Sequence, residues 1–399
     1  MAQFDVAIIG AGPAGSASAI SLARKGYSVA LIDKQQFPRE KLCGDFINPA
    51  NWQLFRKLGV EEEILSNPHE KITMLCISSF SGDDVEVPLT SESALFGLGL
   101  RRSSLDHVLL KKAASQGATL FQKSTVNALT KARRGWFLTI DDSGTAKELH
   151  ARILIGADGR NSWVAHHLGL AGGAAAQKGS IGFQLRLKSS GLAGRVEVHL
   201  FPGGYAGVVG LGDNMLNLAC AISPSLLFQR GVKPLTEKIP PLQRGIKGDL
   251  TWLETCLKQN PRLTEILRRS ERVGKIRSVY PVYFPPRRPY ADGVLLAGDA
   301  ACVSEPVTGE GIYFALKSGL LAAESIDSAF RRGDFSASQL KAYGQACDTV
   351  FRRRLRLNSA IRFLMHHPAL LSAIIRVSAK RRRLLDSMVQ FVCAPDPGA

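Results

Sequence analysis

Three times along the chain, a short apolar run ends in a glycine-bearing turn and gives way to a helical pattern. "FDVAIIG" (4–10) leads into "GAGPAG" (10–15). "SASAISLARKG" (16–26) then repeats its apolar residues at helical spacing up to a glycine stop, and "YSVALIDK" (27–34) is a second strand. "ARILIGADGRNSWVAHHLG" (151–169) predicts a strand, a loop and a helix start, and "GVLLAGDAACVSEPVTGEGIYFALKSGLLAAESI" (293–326) a strand, a loop and a long helix. Between these units the period shortens. "ITMLCISSF" (72–80) and "DVEVPL" (84–89) read as strands, as does much of the glycine-rich stretch 180–222. "RRSSLDHVLLKKAASQGA" (101–118) is an amphipathic helix, whereas "ATLFQKSTVNAL" (118–129) and "GWFLTIDD" (135–142) are strand-like. Residues 339–392 are helical and arginine-rich, and no internal repeat or low-complexity tract interrupts the pattern.

This pattern predicts an α/β fold. A discontinuous Rossmann-like dinucleotide domain takes residues 1–70, 100–170 and 275–330. An inserted, mostly antiparallel sheet takes 71–99 and 171–274, and a basic helical region takes 331–399. A chain of 399 residues exceeds what one core usually holds, in agreement with that division.

Composition narrows the class. The opening "MAQFDVAIIG" lacks the basic and small-residue features of a signal peptide, and no apolar run approaches the ~20 residues of a membrane span. Seven cysteines without a CxxC pair argue against a disulfide framework or a zinc site and for a reducing, cytoplasmic setting. Net charge is +17, of which residues 331–399 carry +9. Such a balance suits an anionic cofactor or substrate, or a membrane surface met peripherally by the basic C-terminal helices. No nucleic-acid motif is present and no aromatics interleave with the basic residues, so nucleic acid is not an expected partner.

The chemistry begins at Gly10, Gly12 and Gly15. In G-x-G-x-x-G the first glycine permits the tight turn, the second lets the backbone approach a diphosphate, and the third lets the helix pack on the strand. Phosphates then meet free N–H groups at the helix N-terminus. Asp33, eighteen residues after Gly15 at the end of the second strand, can accept from ribose hydroxyls. Asp299 follows another buried strand in "LLAGDAA", and Asp158 follows a third in "IGADGRNS".

Taken together, these motifs resemble the flavoprotein superfamily of p-hydroxybenzoate hydroxylase, flavin halogenases and geranylgeranyl reductases. The resemblance covers roughly the first 330 residues and implies FAD, with NAD(P)H as the reductant. It places the diphosphate on the glycine loop, with Pro13 and Ala14 in that loop, and the ribityl chain on Asp299. Asp158 would lie near the cofactor, and "RRSSLD" is similar to an R-x-x-L-D element that would make Arg102 a FAD contact. Lys34, Gly44, Val126, Gly309, Gly311 and Ile312 complete the implied cofactor residues. The helix entered through "TGEG" would aim its N–H groups at the flavin edge. Where relatives often carry an arginine after the DG serine, this chain has Ala165 and His166, with Arg160 nearby.

"PREKLCGDF" (38–46) looks most like the geranylgeranyl reductase branch, in which a K-x-C-G cysteine lies close to flavin and substrate. By that resemblance Cys43 is a site residue, and Arg39 and Lys41 could meet FAD phosphates or an anionic head group. "LFPGGYAGVVGLGDN" (200–214) resembles the branch's Pro-Gly-Gly-Tyr strand and makes Tyr205 a candidate cavity residue. Glu305 and Glu310 flank the flavin-edge turn and could relay protons there, although such residues usually read as solvated acids. Adjacent His166-His167 and His366-His367 lack i, i+4 ligand spacing.

The implied activity is reduction of a carbon–carbon double bond in an apolar isoprenoid, lipid or polyketide-like substrate. Two alternatives are a monooxygenase working through a hydroperoxide of reduced flavin and a flavin-binding redox sensor without turnover. The absence of a W-x-W-x-I-P stretch weighs against a tryptophan-type halogenase.

Overall fold

The computed structural model describes all residues except 81–82, 91–94, 173–178, 190–191, 193, 225–250, 304–305, 366, 368–373, 375–381 and 395–399. Glu305, His366 and much of the basic stretch before residue 382 therefore lie outside the described residues.

The first sheet has eight strands. Across it run Tyr290–Ala291, Val294–Leu296, Thr145–Gly156, Ala2–Ile9, Val29–Asp33 and Thr119–Gln122. From Val294–Leu296 to Thr119–Gln122 the pairing is parallel throughout. A hairpin of Ser124–Ala132 and Gly135–Asp142 joins the edge of Thr145–Gly156 antiparallel. The central strands are apolar on both faces because both are covered, as parallel sheets require. One face packs on helices Pro13–Arg24, Arg102–Ser115 and Gly311–Arg332, around Ile8, Ile20, Leu109 and Leu316. The other packs on the hairpin and the short helix Trp163–His167, around Ile32, Leu138 and Val164.

The second sheet has seven strands, in the order Glu271–Val279, Ile181–Lys188, Met215–Ile222, Gly204–Gly210, Arg195–Phe201, Met74–Ser78, Asp84–Pro88. All neighbours are antiparallel except Arg195–Phe201 with Met74–Ser78. The boundary expected at residue 275 falls inside its first strand. One face carries Phe183, Leu185 and Val208 and is covered by helices Thr251–Leu257 and Pro261–Arg268. The opposite face carries Tyr205, Val209 and Val282 and meets Val389 and Cys393 of helix Arg382–Cys393. A small third sheet pairs Phe46–Ile47, Gly97–Gly99 and Glu70–Ile72.

Helix Ala337–Met365 carries both a basic face and a buried one. Arg352, Arg353 and Arg356 are exposed, but Phe351, Arg354 and Asn358 form a buried stripe at helical spacing. No helix among the described residues is long and apolar enough to cross a membrane.

Candidate functional site

The glycine loop has the backbone its sequence demands. Gly10 has φ +102°, and a Cβ on it would stand 2.3 Å from the Ala157 carbonyl oxygen. A Cβ on Gly15 would stand 1.9 Å from the Gly10 carbonyl oxygen. Those two glycines are required by the protein's own packing. Gly12 differs: its nearest neighbour would be Arg39 Nη2 at 3.6 Å, and Gly44 and Gly311 face nothing within 4 Å. Glycine at these three positions leaves backbone open to an approaching ligand rather than to a neighbouring element.

Gly12 caps helix Pro13–Arg24 without any side-chain hydrogen bond, so the first-turn N–H groups and the positive dipole end stay available for an anion. Asp33 Oδ2 accepts from the Ala11 N–H at 2.9 Å and Oδ1 from the Gln35 N–H at 2.9 Å. The carboxylate is thereby fixed beside the loop, with Arg39 3.8 Å away. Lys34 is exposed at the strand end.

Cations converge on this corner. Arg39 Nη1 is 3.3 Å from buried Asp106 and its guanidinium lies over the Phe37 ring. Lys41 Nζ is 3.5 Å from where a Gly159 Cβ would sit. Burial lowers the Lys41 pKa to about 8; Arg160 assists, and Asp299 opposes. Arg160 is 3.7 Å from Asp299 and donates to the Pro281 carbonyl at 3.1 Å. Asp299 sits in a single 3-10 turn, Gly298–Ala300, where Gly298 has φ +60° and packs on Ala14. Gly309 has φ +66°, with room for no more than hydrogen against Phe46. The turn into helix Gly311–Arg332 therefore lies beside the segment that carries Cys43.

Burial raises the Cys43 thiol pKa above its ordinary value, with the nearby Arg102 charge opposing. The Cys43 carbonyl accepts from Gln184 and Asn217 of the second sheet. Arg102 is itself held in a fork by Asp106, at 2.9 Å for both contacts. The R-x-x-L-D element thus pairs with itself on one helical turn. Next to Cys43, Asp45 is fully buried with φ +55° and pairs with Arg186; burial lifts its pKa to about 6 against that pairing.

Other expected residues stand elsewhere. The Asp158 side chain is spent on its own turn, accepting from Ser162 Oγ and the Val164 N–H, while its Cα closes against Gly10. Val126 and Ile312 are buried in the two cores flanking the first sheet. Ala165 is buried and His166 exposed. Tyr205 packs in the apolar layer beneath helix Arg382–Cys393. Glu310 is not a solvated acid. It is fully buried, 2.7 Å from Arg354, and accepts from Asn358 at 3.2 Å.

The assembled corner fits FAD. It has an uncapped helix N-terminus under a glycine turn, a fixed acid after the second strand, a second acid at the GD turn and partly buried cations between them. Residues 3–197 match the family described as FAD binding domain. A digeranylgeranylglycerophospholipid reductase of Methanopyrus kandleri is 30% identical, covering 88% of this chain and 87% of its own. A menaquinone reductase of Mycobacterium tuberculosis is 30% identical, covering 94% and 90%. This chain belongs to the geranylgeranyl reductase-like branch of FAD-dependent oxidoreductases. Solved structures agree on the fold. A geranylgeranyl bacteriochlorophyll reductase-like protein from Thermoplasma acidophilum has TM-score 0.76 at 21% identity, covering 98% and 92%. A flavin-dependent brominase has TM-score 0.78 at 21% identity, covering 98% and 93%. In this branch the protein binds FAD and uses it for oxidoreduction.

Asp45, Gln184, Arg186 and Asn217 were absent from the sequence-predicted site. Their signal is there in retrospect: polar side chains alternate with apolar ones in "GFQLRL" and "MLNLA". That alternation ordinarily marks a solvated sheet face.

Proposed function

We propose that this protein is an FAD-dependent reductase that saturates a carbon–carbon double bond in an isoprenoid or prenylated lipid, with NAD(P)H as electron source. The observation that carries this reading is the position of Cys43. It lies between the basic cofactor corner and a second sheet that holds it through Gln184 and Asn217 and carries an apolar layer around Tyr205 on the same face. Bound FAD, once reduced by NAD(P)H, would supply a hydride to one carbon of the double bond, and a proton from solvent would complete the other. The chain's own residues bind, orient and exclude water. Asp33 would hold the adenosine ribose, the N-terminus of helix Pro13–Arg24 with Arg39 and Lys41 the diphosphate, and Asp299 the ribityl hydroxyls. A thiol whose pKa is raised stays protonated at neutral pH, so Cys43 serves as a neutral wall and not as a nucleophile. The apolar layer around Tyr205 favours a hydrocarbon substrate over a polar one. The substrates named for the two relatives, a digeranylgeranylglycerophospholipid and a menaquinone, are of that chemical kind. Anaerobic reduction of prenylated substrates tests this function.

The Lys41 role has its own signature. With a pKa of about 8 in the free protein, Lys41 is charged below that pH and must take up a proton to meet a diphosphate above it. FAD affinity is expected to fall as pH rises beyond 8, by up to about tenfold per pH unit. The Lys41→Met variant binds more weakly below pH 8 and loses this slope. A wild-type affinity that is flat from pH 7 to pH 9.5 by fluorescence titration removes Lys41 from the diphosphate site.

A further inference from the structure

We propose that Gln184 and Asn217 are positioning residues that set Cys43 against the cofactor corner by holding its carbonyl from the second sheet. The inference rests on the reading of Cys43 as part of the flavin site. Gln184 Nε2 and Asn217 Nδ2 both donate to the Cys43 carbonyl oxygen at 2.9 Å, occupying both of its lone pairs. Gln184 and Asn217 are fully buried and Arg186 nearly so, on adjacent strands with Arg186 in register with Asn217. Burying three polar side chains on one sheet face is costly unless each is hydrogen-bonded. Here their shared target, besides one another, is the segment Cys43–Asp45, more than 130 residues away in the chain.

The direction of the grip is determined. Arg186 can only donate, and it donates to Asn217 Oδ1 at 2.7 Å. Gln184 donates to the same oxygen at 2.9 Å. Asn217 therefore turns its amide N–H toward Cys43. Reversing either amide would set oxygen against the carbonyl. On the far side the Arg102 N–H donates to Asp45 Oδ1 at 3.2 Å. The segment that carries Cys43 is thus clamped between a helix of the first sheet and two strands of the second. Asp45 keeps a left-handed backbone within that clamp.

The test uses full-length protein in its FAD-free and FAD-loaded forms, with Gln184→Met and Asn217→Ser as variants. Iodoacetamide labelling is followed peptide by peptide, and Cys302, half-buried and outside the clamp, is the internal reference. Loss of one grip on the carbonyl is expected to raise the Cys43-to-Cys302 labelling ratio about tenfold in each FAD-free variant. General loosening of the fold raises both cysteines and leaves the ratio unchanged. FAD is expected to suppress Cys43 labelling in wild type and to do so less in the variants. A ratio within twofold of wild type in both variants overturns the proposal. Wild-type Cys43 labelling that is unaffected by bound FAD instead overturns the placement of Cys43 at the flavin, whatever the variants do.

Discussion

Replacing Gly15 with alanine yields a chain that no longer retains FAD and melts well below wild type. The added Cβ would stand 1.9 Å from the Gly10 carbonyl oxygen and 3.2 Å from the Ile8 side chain. The first of these neighbours is backbone and cannot rotate away. To relieve the contact, helix Pro13–Arg24 must back off the strand Ala2–Ile9. That movement opens the core at Ile8 and Ile20 and displaces the helix end that receives the diphosphate. Overpacking of this kind costs ~3 kcal/mol or more. Gly44→Ala is the informative contrast. Its Cβ meets nothing within 4 Å, so thermal stability should hold, and any loss should appear in FAD affinity alone. Thermal denaturation and FAD titration on both variants check this pair.

Arg354→Met is expected to be the most damaging change in the C-terminal region. The arginine is nearly inaccessible. It pairs with fully buried Glu310 and donates at 2.9 Å to the carbonyls of Val392 and Ala394. It also covers the faces of Tyr313 and Phe391. Removing it leaves the Glu310 carboxylate buried without its cation, at a cost of ~3–5 kcal/mol. It also unties helix Arg382–Cys393 from the turn that enters helix Gly311–Arg332. The double variant Arg354→Met with Glu310→Gln removes the uncompensated charge and should regain a good part of the loss, a coupling that denaturant titration of the cycle measures. Simple additivity of the two single variants contradicts the pairing as the source of the cost.

The glycine loop, Asp33 and Asp299 were legible in the sequence because each is fixed by local rules. A turn that needs φ near +102° at Gly10, a strand end at Asp33 and a strand–turn–helix at Asp299 all leave short-range signatures. The strand-rich second sheet was equally legible from its period of two. Partners that meet across long separations were not. Arg354 sits among exposed arginines in "FRRRLRL", and only the buried stripe Phe351, Arg354 and Asn358 sets it apart. Glu310 looked solvated because its cation lies 44 residues on. Gln184, Arg186 and Asn217 carry no local signature of a site because segment 43–45, which covers them, belongs to another part of the chain. The Arg102 element was legible as a motif, but the closure of its own acid on the arginine was not. The nearest acid, Asp106 on the same helical face, takes the guanidinium fork.

The central claim is that electrons on bound FAD reduce a carbon–carbon double bond in an apolar substrate. The most direct test loads the protein with FAD, reduces it without oxygen using NADPH or dithionite, and adds a geranylgeranylated glycerophospholipid or a menaquinone. The lipid is then analysed by mass spectrometry. The account predicts product that gains two hydrogens per reduced bond, both of them deuterium when dithionite is the reductant in deuterated solvent, and no requirement for oxygen. Unchanged prenyl chains under anaerobiosis, with an oxygenated product appearing only when air is admitted, would contradict it.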